Sequence, residues 1–208
     1  MARTPTNTSA EAVLQDEAQT DAQTDGRRRR GLDNRARIVR AMLEIIHAGE
    51  VAPSAEQVAA RAQVGLRTVF RHFQDMDSLY REMAGAIEAE LRAVVAQPFR
   101  SPDWQGRVLE LVARRSMAFE RIAPFKRASD AVRHRSPFLE ADAGRLAVEL
   151  RRILKAILPP EVAKDRVRLE ILDLLLSFET WARLRREQGL SPRRAREVVE
   201  AAVRRWLD

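Results

Sequence analysis

The stretch SAEQVAARAQVGLRTVFRHF, residues 54–73, decides the predicted fold of this chain. It opens with Ser54, and Gln57 follows three residues later, which is the spacing of a capping box at the start of a helix. The apolar spacing predicts a two-turn helix over 55–62, a three-residue turn and a second short helix over about 66–73. Two short helices joined by so tight a turn are typical of a helix-turn-helix.

The outward face of the second helix is predicted to be basic. A recognition helix reads base edges with its first turn and meets phosphates with its flanks, so Arg67 and Thr68 are the candidates for base contacts. Arg71 and His72 are the candidates for phosphate contacts. The alternative is a pair of small helices inside an ordinary bundle, which would not need so positive a face. Five neighbouring residues complete the predicted DNA-binding set: Ser54, Gln57, Gly65, Leu66 and Phe70.

Charge and composition agree with a nucleic-acid partner. The chain has 208 residues, a formal net charge of +7 and no cysteine. A basic protein is attracted to polyanions, either nucleic acid or anionic lipid. The lack of cysteine excludes disulfides, thiolate zinc sites and a cysteine nucleophile. No signal-peptide pattern and no apolar run of membrane-spanning length is visible, so we expect a cytoplasmic protein that does not enter the membrane.

The N-terminal tail changes sign along its length. Residues 1–26 carry five acidic groups against Arg3 and almost no large apolar side chains, which predicts disorder. Four arginines follow, Arg27 to Arg30. They form either a solvated tail or a basic arm that touches DNA, with Arg29 and Arg30 as the candidate contacts.

The rest of the chain predicts an all-α protein of about nine helices with no strand. Asp33 or Asn34 is predicted to cap the first helix, and Pro124 is predicted to open a short one. The pairs Ser101-Pro102, Ser136-Pro137 and Ser191-Pro192 have the form of an N-cap followed by a first-turn proline. We predict three regions: a tail over 1–30, a three-helix helix-turn-helix domain over 31–78, and a helical ligand-sensing and dimerisation domain over 79–208.

Residues 34–80 contain three motifs followed by a leucine: Arg35-x-x-Ile38-x-x-Ala41, Val58-Ala59-x-x-Ala62-x-Val64, Thr68-Val69-Phe70-Arg71-His72-Phe73 and Leu79. In these motifs the chain resembles the TetR/AcrR family of transcriptional regulators. The family usually has glycine at the position of Gln63, serine at Gly65, tyrosine at Phe70 and lysine at Met76. The resemblance implies a sequence-specific regulator, usually a repressor, that binds a near-palindromic operator as a homodimer and responds to a small molecule.

The last two long helices carry apolar side chains over more of their surface than a single side facing the core would require. Their second partner is either another helix of the same chain or, as the resemblance implies, a second subunit. Between these helices and the helix-turn-helix, large side chains suggest a pocket for an apolar or aromatic effector, although plain core is the alternative for each. His134 is predicted to lie at an exposed helix end. The predicted dimer contacts are Leu174, Leu175, Phe178, Trp181, Val199, Val203 and Trp206, and the predicted pocket residues are Trp104, Met117, Phe119, Phe125 and Phe138.

Three other functions compete with a sequence-specific regulator. An enzyme is disfavoured because the three histidines are scattered and no phosphate loop or metal-ligand pair is present, so neither cofactor nor metal is expected. A nucleoid-like protein that binds DNA without sequence preference would share the charge but would not need so large a C-terminal domain. Binding to a membrane surface through the arginine run lacks an adjoining amphipathic helix with a basic face.

Overall fold

The computed structural model describes residues 31–95 and 97–207, and these are all-α, as predicted, with no β-strand among them. The predicted tail, including Arg29 and Arg30, lies outside the described residues. The helices are α1, residues 31–47; α2, Ala55–Ala62; α3, Leu66–His72; α4, Met76–Val95; α5, Trp104–Val132; α6, Pro137–Ile157; α7, Pro160–Lys164; α8, Arg166–Leu175; α9, Phe178–Ala182; and α10, Pro192–Leu207. A 3₁₀ turn, Arg133–Arg135, joins α5 to α6, and a π-helical turn, Arg183–Glu187, extends α9.

The two short helices predicted over 55–62 and about 66–73 correspond to α2 and α3, which are joined by a three-residue turn. The capping box is formed, since the Gln57 amide lies 3.3 Å from Ser54 Oγ and the Ser54 amide 2.7 Å from Gln57 Oε1. The turn between α2 and α3 passes through Gln63, which has the left-handed values φ 53° and ψ 47°. The glycine that the family usually carries here would adopt this conformation without steric cost.

Three predicted helix starts are corrected. The chain is already helical at residue 31, before Asp33, and this extra turn brings Gly31 close to the His72 ring. Asp103 rather than Ser101 caps α5, because its carboxylate accepts the Gly106 amide at 2.7 Å. Pro124 does not open a helix but lies inside α5. A proline inside a helix costs a hydrogen bond, yet buried side chains on both sides of it hold α5 in one piece: Phe119, Ile122, Phe125 and Ala128.

The first of the last two long helices predicted from the sequence is also corrected, because it divides at Ser177 into α8 and α9. The Ser177 hydroxyl caps α9 by accepting the Thr180 amide at 3.1 Å. The Thr180 hydroxyl in turn donates to the Leu174 carbonyl at 2.5 Å. Such local side-chain bonds compete with the helical ladder and end it. The other two serine–proline starts, at Ser136 and Ser191, occur as predicted.

Two hydrophobic clusters form the core. The first joins α1–α4 to the C-terminal end of α5, including Phe125 and Val132, and to Leu139 of α6. The second fills the bundle of α5–α10. Packing therefore continues across the predicted boundary at residue 78, because Tyr80 and Met83 of α4 are buried in the first cluster. The two halves of the chain are connected by α4 and α5.

One buried arginine ties three parts of the second cluster together. Arg115 of α5 donates to the Leu176 carbonyl after α8, at 2.7 Å, and to the Leu150 carbonyl of α6. Its burial lowers the pKa of the guanidinium to about 10, which leaves it charged at neutral pH. Backbone carbonyls rather than a carboxylate thus bind the two terminal nitrogens of this cation and connect the three segments, while its buried Nε has no hydrogen-bond partner among the described residues.

Candidate nucleic-acid interface and ligand cavity

The turn before α3 is held from outside by an arginine of α1. Arg37 donates to the Ala62 carbonyl at 2.6 Å and to the Gln63 carbonyl at 3.4 Å. Within the turn, the Val64 amide donates to the Ala59 carbonyl at 3.0 Å. Ala59 and Ala62 are buried, and their small side chains let α2 and α3 lie close together. The start of α3 is therefore rigidly placed relative to α1 and α2.

The far end of α3 is held by a second arginine of α1. Arg35 donates to the His72 carbonyl and to Glu82 of α4, both at 2.8 Å. Its guanidinium also lies 4.5 Å from the centroid of the Phe73 ring. Because one side chain contacts α3, α4 and the core at once, α3 cannot rotate independently of α4.

The face of α3 that points away from this core is basic and open. Arg67 and Arg71 are exposed and make no ion pair with any residue that the structure describes. Thr68 is half-buried beside them, and Phe70 is 49% exposed. Gly65 and Leu66 at the start of the helix are exposed as well. Two free guanidinium groups, a hydroxyl and an aromatic ring thus share one helix surface.

His72 departs from the predicted set of phosphate contacts. Its ring is half-buried, and Nε2 is enclosed without a hydrogen-bond partner. Burial, together with the charges of Arg71 and Arg35, lowers the pKa of His72 below its ordinary value, so the ring is neutral at pH 7. A neutral ring packed against α1 supports the position of α3 but offers no cation to a phosphate. The error arose because sequence spacing places His72 beside Arg71 on the helix without showing that α1 covers it.

Ser54 and Gln57 lie at the exposed start of α2, as predicted. Each already binds the backbone amide of the other. Ser54 Oγ and Gln57 Oε1 therefore cap the helix. The side-chain nitrogen of Gln57 is the polar group of this pair that remains able to donate to a partner.

A cavity of about 800 Å³ opens between α4, α5 and α6. This volume is in the range of sites for drug-sized ligands. Its wall is largely apolar, and charged side chains at its edge include Glu88, Lys126 and Arg145. Among the apolar residues that line it are Met83, Ile87, Phe119, Ile122, Phe125 and Leu146.

Two of the five predicted pocket residues, Phe119 and Phe125, line this cavity. The other three lie elsewhere. Trp104 packs edge-on against Trp206, with ring centroids 6.4 Å apart. Met117 is 55% exposed on the outer face of α5. Phe138 lies outside the cavity between the guanidinium groups of Arg81 and Arg145. Helical periodicity identified bulky residues but could not show which of them surround the empty space.

A carboxylate of α4 is bonded to the start of α6, and both of these helices line the cavity. Asp77, in the first turn of α4, accepts hydrogen bonds from the Ser136 hydroxyl and, at 3.3 Å, from the Phe138 amide. Ser136 caps α6, whose next turns line the cavity. Only three residues, 73–75, separate the end of α3 from the start of α4, so this contact lies close to α3 along the chain.

Four predicted dimer contacts are corrected. Phe178, Trp181, Val199 and Val203 are buried within the single chain and pack in the second cluster. The Trp181 indole also donates to Glu120 of α5 at 2.9 Å. α10 thus lays its apolar stripe on α5, so the second partner of these residues is intramolecular.

The remaining predicted dimer contacts are accessible. Leu174 is 66% exposed, whereas Leu175 and Trp206 are half-buried. Sequence reasoning missed the two residues that extend Leu174 into an exposed stripe on α8, Val167 and Ile171. Their spacing of four and three residues was the available signal. Val198 is exposed on α10, which packs beside α8.

The chain matches no known protein-family model and no curated protein sequence. Within the residues that the structure describes, no group of three or more histidine or acidic side chains is arranged to hold a metal ion. No helix in the same residues is both long enough and apolar enough to cross a membrane.

Proposed function

We propose that this chain is a sequence-specific DNA-binding transcriptional regulator of the TetR/AcrR type, which acts as a homodimer and responds to a small apolar molecule. The observation that carries the proposal is the helix-turn-helix with its open basic face on α3. Arg67 and Thr68 in the first turn of α3 read base edges, and Arg71 contacts phosphate. Arg35 and Arg37 keep this helix in a fixed orientation, which a base-reading element requires.

The effector occupies the cavity between α4, α5 and α6. Its apolar wall favours an apolar or aromatic molecule, and the charged edge is suited to one polar substituent. Binding moves α6, and the Asp77 contact carries this movement to the start of α4 and thus to α3. An effector that binds the arrangement unsuited to DNA more tightly shifts the population towards it and lowers the affinity for DNA, and bound DNA lowers the affinity for the effector by the same factor.

Dimerisation involves the exposed stripe of Val167, Ile171 and Leu174 on α8. Apolar side chains of this size at helical spacing lose contact with water when a second copy covers them. A two-fold axis through such a face gives the two recognition helices a fixed separation. The operator is then a near-palindrome with half-sites one or more helical turns apart.

Fluorescence anisotropy on duplex DNA from the region upstream of the chain's own gene, with a scrambled duplex as the control, tests the proposal across a salt series. Specific binding at least about a thousandfold tighter than binding to the control supports it. Equally tight and steeply salt-dependent binding to both duplexes favours the nucleoid-like alternative, provided that selection from random duplexes also enriches no sequence.

A substitution in α3 tests the proposed role of Arg67 in base contact. Replacing Arg67 by alanine should weaken specific binding by about 1–3 kcal/mol, which is roughly 5- to 150-fold, and relax the preference at one base position. Arg61→Ala is the matched control, because Arg61 is also exposed in the helix-turn-helix but pairs with Glu44 at 2.6 Å. Equal losses in both variants would contradict the assignment of Arg67 to base contact.

A further inference from the structure

The turn between α5 and α6 consists of three consecutive side chains that can carry positive charge: Arg133, His134 and Arg135. All three are exposed. We refer to Arg133–Arg135 as the basic turn. The helix-turn-helix does not account for it, because it belongs to the predicted sensing domain, more than fifty residues after α3.

The basic turn is fixed against the helix-turn-helix on both sides. The residue before it, Val132, is buried in the first hydrophobic cluster together with α1–α4, and so is Leu139 shortly after it. Between them, Ser136 and Phe138 donate to Asp77 in the first turn of α4. The basic turn therefore lies at the end of the C-terminal bundle that is next to the start of α4 and the end of α3.

The positive charge of this turn is not neutralised. Arg133 lies 3.3 Å from Glu140, but both side chains are largely exposed, and such a pair exchanges readily with other anions. His134 and Arg135 have no acidic partner among the residues that the structure describes. The nearby Asp77 carboxylate already accepts two hydrogen bonds from the start of α6. An anion that approaches the turn meets the Arg135 guanidinium directly and competes with the exposed Glu140 carboxylate for Arg133.

We propose that the basic turn is a second DNA-contacting surface, which binds backbone phosphates next to the half-site that α3 reads. This inference rests on the proposed function. Phosphate is the expected target because guanidinium groups on a short exposed turn bind its oxygens in a forked geometry, whereas reaching base edges requires an element inside the groove. The residues that follow a recognition helix lie close to the phosphate backbone in helix-turn-helix proteins, and only three residues separate α3 from α4.

The basic turn directly precedes α6, with only Ser136 between them, and α6 forms one wall of the cavity. A molecule that displaces α6 would withdraw the basic turn from DNA directly, in addition to moving α3 through Asp77. Phosphate affinity would then respond to the effector even on DNA without an operator sequence.

The test compares two double variants that remove the same charge. Arg133→Gln with Arg135→Gln removes the two arginines of the basic turn. Arg193→Gln with Arg194→Gln is the control, since these exposed arginines begin α10 and share Glu197 as a partner. Each is titrated by anisotropy, across a salt series, against an operator selected with the wild-type protein and against its scrambled version.

The basic-turn variant should bind both duplexes more weakly, and the slope of log K against log salt should fall in magnitude by about 1.8 per protomer, while the control keeps the wild-type slope. Arg135→Lys should keep the wild-type slope, which separates charge from a folding defect. A slope equal to that of the control would overturn the inference. A loss of affinity confined to the operator would also overturn it, since such a loss would indicate contacts to bases rather than to phosphates. A wild-type protein that selects no sequence would instead overturn the proposed function, before any variant is compared.

Discussion

Gln63 is the position where a single substitution should stabilise the helix-turn-helix. Its φ of 53° and ψ of 47° place a side-chain-bearing residue in the left-handed region, which costs roughly 1–2 kcal/mol relative to glycine. Gln63 is exposed, and no hydrogen bond of its side chain is present. Glycine gives back about 0.5–1 kcal/mol through the greater freedom of the unfolded chain. We therefore expect Gln63→Gly to raise the free energy of unfolding by about 0.5–1 kcal/mol.

Urea denaturation followed by circular dichroism measures this change, and for a chain of this size the melting temperature should rise by about 1–4 °C. Ala60→Gly is the control, because Ala60 is an exposed residue inside α2, where glycine should cost about 1 kcal/mol. The two variants share the unfolded-state effect and differ in the native backbone angle. A Gln63→Gly protein as destabilised as Ala60→Gly would refute the reasoning. DNA affinity should stay at the wild-type value, since the turn keeps its shape.

Three further outcomes are expected. Leu174→Glu should shift the protein to monomers in sedimentation velocity, because it places a charge in the exposed α8 stripe, whereas Met117→Glu on α5 should leave the dimer intact. Asp77→Asn should lower the free energy of unfolding by roughly 1–3 kcal/mol in urea, since charge-assisted bonds to the start of α6 are weakened, and should reduce the effect of any effector on DNA binding. The hydrogen bonds of Ser101 and the Arg100 amide hold the pKa of Glu110 at about 2, below the ordinary 4.5. The contribution of Glu110 to stability is therefore present above pH 4.5 and is lost as the pH falls through 2. In unfolding experiments, the advantage of wild type over Glu110→Gln should shrink over that pH range.

Each of these three has an outcome that would contradict it. A Leu174→Glu protein that still sediments as a dimer would mean that another face of the chain forms the interface. An Asp77→Asn protein with unchanged stability and unchanged effector response would remove the proposed connection between cavity and α3. A difference between wild type and Glu110→Gln that stays constant down to about pH 2 would show that the Glu110 carboxylate is not held in its charged form.

Local signals in the sequence predicted the parts of the fold that depend on local chemistry. The Ser54–Gln57 capping box, the bounds of α2 and α3 and the proline starts at Ser136 and Ser191 all follow from hydrogen bonds within a few residues. Pro124 and Ser101 show the limit of such signals. Packing from distant residues carries α5 through Pro124, and Ser101 binds Glu110 instead of starting the helix.

The candidate site was predicted less completely, because its features depend on which surfaces meet. Periodicity showed that Phe178, Trp181, Val199 and Val203 are apolar on one side, but not that α5 of the same chain covers them. It placed His72 on the face of Arg71 without showing that α1 lies against the ring. The Asp77 contact joins residues about sixty positions apart, and no local pattern marks such a pair. The shape of the cavity and the placement of the basic turn near α4 depend on contacts of this kind.

Selection from a pool of random duplexes with the full-length protein tests whether a dimer of this chain recognises a DNA sequence. For a dimer, we expect enrichment of an inverted repeat whose half-sites are about 10 base pairs apart or a multiple of that distance. Selection with Arg67→Ala should lose the preference at one position in each half-site while keeping the spacing. A pool that stays random after repeated rounds, although the protein retains DNA, would contradict sequence-specific recognition.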